Sequence, residues 1–345
     1  MYFHGCNYPW STDGTTVFYG LDFGANVWGS HLGVSTRRTA IRHDFAEMAA
    51  LGFTVVRWFL FCDGRAGIVY DERGMPIGPD AHLFADLDAA LEIAGAVGIG
   101  IDLVLFDHRW MFSGVRETLP DPVTGDLLDV RLPEGRAHVF LNEDGRDALF
   151  EGLVVPLVHR YGPAGLRADL APHVFAYEFM NEPDFVIEEW ERDLSPHVAR
   201  PLPFSIMATL IARLSETVHA HSSALTTLGG ARLHNLWAWD DETLGLDLLQ
   251  VHSYAAQTPG GEDDVVGVPV ADLGVSRPVV LGEFGGYPVD DVLAFAAESG
   301  YAGAWPWSFS GTDSYGPLPR EALQRFAARY PRVVNARAGV LGFEP

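Results

Sequence analysis

Residues Tyr177–Phe185 read YEFMNEPDF. They continue an apolar run, VFAYEFMN at 174–181, that has the length and composition of a strand buried on both faces. Where that run ought to continue or turn, the chain places an amide, Asn181, and a carboxylate, Glu182, and then locks itself with Pro183. The proline ends the strand and stiffens the backbone just beyond the carboxylate. Burying such groups is costly unless they pair with one another. The meaning of this strand end therefore depends on what ends the other strands.

Seven further runs read as strands: YFHGCNY at 2–8, TVVRWFLF at 54–61, GIDLVLF at 100–106, ALTTLGG at 224–230, LDLLQVHSY at 246–254, PVVLGEFG at 278–285 and AGAWPWSF at 302–309. Amphipathic stretches alternate with them. RRTAIRHDFAEMAALG repeats apolar residues at three- and four-residue intervals and stops at Gly52, and HLFADLDAALEIAGAVG does the same. The helices after the fifth and sixth strands read as short. Eight strands, each followed by a helix, predict a (β/α)8 TIM barrel, with residues 1–345 forming a single catalytic domain. A doubly wound open sheet would carry a glycine-rich phosphate turn after its first strand, and GCNYPW is not that turn.

Two connections are longer than ordinary ones: Pro9 to about Ser35, holding Trp10, Phe18, Tyr19, Phe23 and Trp28, and Asp107 to about Asp144. They are the β1-α1 and β3-α3 loops of the expected barrel. Both follow a strand, which places them at the C-terminal face, where barrel enzymes keep their sites.

Composition narrows the chemistry. The 345 residues are 48% hydrophobic, enough for a sizeable core. The formal net charge is −23 and is spread along the whole chain. Such a surface repels nucleic acid and anionic lipid but not neutral ligands such as sugars. The chain contains no lysine, which excludes Schiff-base aldolases, pyridoxal-phosphate enzymes and Walker-type phosphate loops. Cys6 and Cys62 make no disulfide framework and no zinc cage, and each reads as a small buried hydrophobe. No apolar stretch is long enough to span a bilayer, and MYFHGCNYPW lacks a basic region and an apolar core. The expectation is cytoplasmic residence, or secretion if a leader was removed.

The other strands end as the fourth does. The second carries Arg57, the third Asp107 and His108, the sixth His252 and Tyr254, the seventh Glu283 and the eighth Trp307. Apolar strands that repeatedly finish in polar or aromatic residues build a pocket at one rim. Glu182 and Glu283, at the ends of the fourth and seventh strands, can face each other across the barrel mouth. Two carboxyl groups roughly 5–5.5 Å apart suit double displacement at a sugar carbon. The two need different surroundings, and Arg57 and Tyr254 are placed to keep one of them ionised.

These residues resemble a known family. NEP after a fourth strand, the glutamate of LGEFG after a seventh, an arginine in the second, the HSY of the sixth and a tryptophan at the eighth resemble glycoside hydrolase clan A. Within it the closest match is the cellulase and mannanase family, family 5. The motifs run from GCNYPW to WPWSF, nearly the whole barrel. The resemblance implies that Glu182 is the acid/base and Glu283 the nucleophile. It implies that Asn181 hydrogen-bonds the sugar 2-hydroxyl and that Arg57 and Tyr254 hold the nucleophile. It also implies that His108 and His252 line the reactive-sugar subsite and that Trp307 forms its floor. Trp305 competes for that last role, and Trp307 is preferred because SF follows it.

Other polar residues read differently. Glu178, four residues before Glu182, lies deeper in the strand and is expected to be structural. His4, His43, His159, His219, His221 and His234 read as surface or helix residues without a role. The HAH at 219–221 has metal-ligand spacing but ends a helical pattern away from the pocket, so it is not taken as a metal site.

The expected function is that of a retaining β-glycoside hydrolase without metal or organic cofactor. Its substrate would be a β-linked gluco- or manno-configured saccharide. The alternatives are another clan A activity, of β-galactosidase or β-xylosidase type, and a sugar-binding barrel without turnover.

Overall fold

The computed structural model describes residues 2–11, 22–26, 28–113, 116–121, 124–131, 136–255, 263–311 and 315–331. Of the rim aromatics named above, Phe18 and Tyr19 lie outside them. Eight parallel strands close into a barrel: Phe3–Asn7, Val55–Phe59, Gly100–Asp107, Val174–Asn181, Leu225–Gly230, Leu249–Tyr254, Val279–Gly285 and Gly303–Pro306. Each pairs with the next, and the eighth returns to the first, with Phe3 opposite Gly303. Every residue of all eight strands is buried. That double-faced burial is why these runs are continuously apolar instead of alternating.

Helices cover the outside. Arg38–Ala50 turns Ile41, Phe45 and Met48 inward, one face of a helical repeat. Leu83–Val97 stops at Gly98, whose φ of 76° gives the left-handed end that favours glycine. Phe204–His221, Val289–Glu298 and Arg320–Arg329 follow the fourth, seventh and eighth strands. The segment returning from the third strand runs as Glu143–Leu149, one π-helical turn at Phe150–Val154, and Val155–Arg160. After the fifth strand the helix is only Leu236–Trp239, and after the sixth only the 3-10 turn Val270–Asp272, as short as their sequences suggest. No helix among the described residues is long and apolar enough to cross a membrane.

Two hairpins have no strand signal in the sequence reading. Ile68–Tyr70 pairs with Pro76–Pro79 after the second barrel strand, and Arg116–Pro120 pairs with Leu127–Arg131 within the long third loop. Both are short and rich in charge, glycine or proline, so apolar periodicity does not mark them.

The lower half of the barrel is filled by side chains. Phe3, Val55, Phe175, Leu225, Leu248, Val280 and Trp305 form one buried cluster. The Phe175 ring lies 4.8 Å from Phe3 and 6.2 Å from Trp305, both edge-on. Gly5 makes room for the Trp305 indole, since a Cβ there would come within 2.5 Å of it.

His4 corrects an expectation. It is not a surface or helix residue but a fully buried member of the first strand, stacked on Phe53 at 4.6 Å beneath the helical layer. Burial lowers its pKa to about 3, so it packs as a neutral ring. Cys6 and Cys62 are both free and buried.

The first long loop is pinned by two buried carboxylates. Asp22 accepts from the Ser11 amide at 2.8 Å, Arg37 at 2.6 Å and the Trp58 indole at 2.9 Å. Asp86 accepts from the amides of Gly24 and Ser35, each at 2.9 Å. Such bonds tie the described parts of this long connection to one another, to the second strand and to the helix Leu83–Val97.

Candidate active site

Above the apolar floor the interior changes to charge. Arg57, fully buried on the second strand, uses all five of its N–H groups. Its Nε and Nη2 clasp Glu178 Oε2 and Oε1 at 2.7 and 2.6 Å. Its Nη2 also reaches Asn181 Oδ1 at 2.7 Å, and its Nη1 reaches Asn7 Oδ1 at 3.0 Å and Glu283 Oε1 at 2.5 Å. Gly229 lets this cluster close, because a Cβ there would lie 2.4 Å from Glu178 Oε1.

Glu283 takes a donor on each oxygen: Arg57 on Oε1, and the Tyr254 hydroxyl on Oε2 at 2.5 Å. Glu182 is held differently. Its backbone sits at φ 50°, ψ 50°, a left-handed conformation that costs a non-glycine residue about 1–2 kcal/mol. The Glu182 amide donates to Gly229 O at 2.7 Å, and Pro183 fixes the following turn. This strained corner turns the carboxylate out of the strand and over the cavity, which explains a strand that ends Asn-Glu-Pro. His252 Nδ1 lies 3.1 Å from Glu182 Oε1 and 3.6 Å from Glu283 Oε2, and His108 Nδ1 lies 3.8 Å from Glu182 Oε2. One oxygen of Glu182, one of Glu283 and a ring nitrogen of His252 all lie within 4.8 Å of one another. Among the described residues this is the one trio of potential metal donors so close together.

The pairing register breaks where these side chains emerge: between Glu178 and Asn181, between Val251 and His252, and between Leu281 and Phe284. Irregularities of this kind re-aim side chains at barrel rims.

The electrostatics follow from burial and neighbours. Burial raises the Glu182 pKa, but the His252 bond and charge, with His108 and Arg57, overcome it and bring the group down to about 2. Burial raises Glu283, and the charges of His252 and Arg57 offset this only in part because the Glu182 carboxylate adds to it. Burial lowers His252, yet the facing carboxylates of Glu283 and Glu182 raise it overall. His252 thus faces both carboxylates, and its charge and its bond to Glu182 tie the three ionisations together. Below them, burial and the Glu178 carboxylate raise Asp102 well above the ordinary carboxyl range.

A cleft of about 380 Å³ opens over this layer. Arg57 and His252 are not among its lining residues; they lie beneath and beside the carboxylates. His108, Asn181, Glu182, Tyr254, Glu283 and Trp307 line it, with Trp10, Phe59, Arg109, Phe112 and Tyr315. Asn181 is oriented from both ends of its amide, accepting from Arg57 and donating to Asp107 Oδ2 at 2.8 Å. Trp307 sits at the mouth, its ring 5.7 Å from Trp10 and 6.4 Å from Phe59. Trp305 is fully buried in the barrel floor, its indole donating to Phe3 O at 3.2 Å. The Trp307–Ser308 peptide is cis.

Several members of the site escape the sequence reading. Asn7 ends the first strand, as the strand-end pattern would suggest. It bridges Arg57 to Gly282 O at 2.9 Å and to Trp305 O at 3.0 Å. Asp102 and Gln250 sit inside the third and sixth strands; Gln250 Nε2 reaches Glu178 Oε2 at 2.9 Å and Asp102 Oδ2 at 3.3 Å. A polar residue within a fully buried run is the signal that marks both.

No family model matches the chain. In sequence it is 22% identical over 343 residues to the mannan endo-1,4-beta-mannosidase of Mytilus edulis, covering 89% of this chain and 83% of that protein. In structure it resembles the beta-mannanase of Mytilus edulis with a TM-score of 0.73 at 17% identity, covering 99% and 94% of the two chains. It likewise resembles the endo-1,4-beta-mannanase of Eisenia fetida with a TM-score of 0.72 at 18% identity, covering 94% and 91%. The structural likenesses bear on the fold; the sequence likeness extends along most of the barrel. With them, the resemblance of the strand-end residues to glycoside hydrolase clan A, and within it to family 5, is borne out.

Proposed function

We propose that the chain is a retaining β-glycoside hydrolase acting on manno-configured β-linked saccharides, with Glu283 as nucleophile and Glu182 as acid/base. The observation that carries this reading is the approach of the two carboxylates, whose oxygens come within 4.8 Å across the barrel mouth. That is the short spacing of double displacement, well inside the roughly 6.5–9.5 Å that admits a water between the carboxyl groups of inverting enzymes. The sugar identity draws its support from the mannanases to which the chain is similar.

In the first step an oxygen of Glu283 attacks the anomeric carbon while Glu182 gives a proton to the departing glycosidic oxygen. In the second, Glu182 takes a proton from water, which displaces Glu283 and restores the starting configuration. Arg57 and Tyr254 present two donors that favour the ionised nucleophile. In the free site the bond from His252 favours the ionised form of Glu182. A glycosidic oxygen seated against Glu182 takes the place of that bond, which favours the protonated carboxyl that the first step needs. Trp307 offers an indole face for the apolar side of the reacting pyranose, and Asn181, fixed at both ends, meets its 2-hydroxyl.

The test is hydrolysis of an aryl β-mannoside and of β-mannan, with the anomer of the first product followed by NMR. Retention of configuration, loss of turnover in Glu283→Gln and recovery with azide support the assignment. Unchanged turnover in Glu283→Gln removes Glu283 as nucleophile. Saccharide binding without any turnover of gluco- or manno-configured substrates returns the chain to a sugar-binding barrel.

A further inference from the structure

A second groove, of about 410 Å³, lies on the flank of the barrel and shares no lining residue with the cleft. Its walls are Trp190, Phe204 and Trp237, with the carboxylates of Glu189, Asp240 and Asp241. Trp190 and Phe204 pack at 5.6 Å, and both lean on the buried Trp239, at 5.0 and 5.5 Å. Trp237 takes no part in that cluster: it stands 71% exposed on the short helix Leu236–Trp239. Asp240 accepts from the Ser276 amide at 2.6 Å and from Arg277 Nη1 at 3.0 Å. Those residues lead into the start of the seventh strand.

Trp237 presents an open indole face beside polar groups, a surface on which a ligand can stack. The polar lining says of what kind. It contains carboxylates and no basic side chain, so an anion is excluded. Each carboxylate is already partly compensated by protein donors: Glu189 by the Phe204 amide at 2.8 Å, Asp241 by the Thr243 amide at 2.8 Å, Asp240 by Arg277. Their remaining lone pairs are acceptors for a ligand that brings several hydroxyl donors and an apolar C–H face. A pyranose has both, one for the carboxylates and one for the indole.

We propose that this groove is a second carbohydrate-binding site, which seats a β-linked hexose chain on Trp237 and anchors the enzyme to polymer away from the cleft. The identity of the sugar rests on the reading of the chain as a β-mannan hydrolase; the site itself rests on the groove.

The experiment is calorimetric titration of mannohexaose into Glu283→Gln, which does not turn it over, and into Glu283→Gln/Trp237→Ala. The expected result is two sites in the first protein and one in the second. In parallel, Trp237→Ala in the otherwise intact enzyme weakens retention on insoluble β-mannan about tenfold, with kcat/KM on an aryl β-mannoside unchanged, while Trp237→Phe keeps most of the retention. A single site in both proteins overturns the proposal, as does retention indifferent to Trp237. Binding of tetramethylammonium with no oligosaccharide overturns it in favour of a cation cage. A dimer that dissolves on Trp237→Ala without any second sugar site overturns it in favour of a second copy of the chain. An enzyme inert toward mannosides that still binds mannohexaose through Trp237 removes the proposed function and leaves the groove standing.

Discussion

Arg57 holds Glu283 and Glu178 at once: Nη1 donates to Glu283 Oε1 at 2.5 Å while Nε and Nη2 clasp Glu178 at 2.7 and 2.6 Å. One fully buried guanidinium thus serves two buried carboxylates. Replacing Arg57 by Met leaves both carboxylates without their cation. The expected loss is about 3–5 kcal/mol of unfolding free energy, read from the urea midpoint, together with loss of turnover. Arg57→Lys does not restore either, because an ammonium cannot reproduce the fork that spans both partners. A Met variant with wild-type stability contradicts this account of the network.

Tyr254 acts on Glu283, the proposed nucleophile, from the other side. Its hydroxyl donates to Glu283 Oε2, a bond that favours the ionised carboxyl. In Tyr254→Phe the Glu283 pKa rises, so the acid limb of the kcat/KM profile moves to higher pH. The rate at the optimum falls roughly 10- to 100-fold, the worth of a hydrogen bond to a charged group. A fall in rate with the acid limb unmoved removes Tyr254 from control of the nucleophile's ionisation.

Glu182 is separated from Glu283 by dependence on the leaving group. Glu182→Gln is expected to slow hydrolysis of an unactivated glycoside by roughly 10²–10⁴. With a dinitrophenyl leaving group, which departs without a proton, formation of the glycosyl-enzyme is spared and a burst of phenol precedes slow turnover. Equal losses on both substrates, without a burst, contradict the acid/base role.

At the rim, His234 is clamped between Asp263 at 2.5 Å and Asp193 at 2.8 Å. Burial lowers its pKa, but the bonds and charges of the two aspartates raise it above the ordinary 6.5. A histidine raised on folding adds stability that is complete below its unfolded value and is lost as pH rises through the folded one. The wild type is therefore expected to exceed His234→Gln in Tm most clearly below the ordinary histidine value of 6.5 and to lose that advantage as the pH rises above it. Parallel Tm curves from one side of that value to the other contradict the clamp.

The strands were legible because a barrel strand is buried on both faces, and double burial writes itself as a continuous apolar run. All eight observed strands begin and end within three residues of the runs read from sequence. The rim was legible for the complementary reason: Arg57, Asn181, Glu182, His252, Tyr254 and Glu283 interrupt apolar runs at or near their ends. The two hairpins were hidden because each strand is only three to five residues long, too short for a periodic pattern to show. Asn7, Asp102 and Gln250 were overlooked although each is a polar residue in a buried run, and each proves to be tied to the Arg57 and Glu178 pair.

Local chemistry by itself determined that eight buried strands alternate with helices and that polar groups gather at one end of them, since burial and chain stiffness act over a few residues. Only the closed barrel decided which of those groups meet. Glu182 and Glu283 are a hundred residues apart in the chain, and their approach depends on barrel closure, on the register breaks that re-aim them and on the left-handed corner at Glu182. The electrostatic coupling of the site was decided at the same level. It depends on distances of 3.1 and 3.6 Å from one imidazole to two carboxylates, and those distances belong to the assembled barrel and to no single strand.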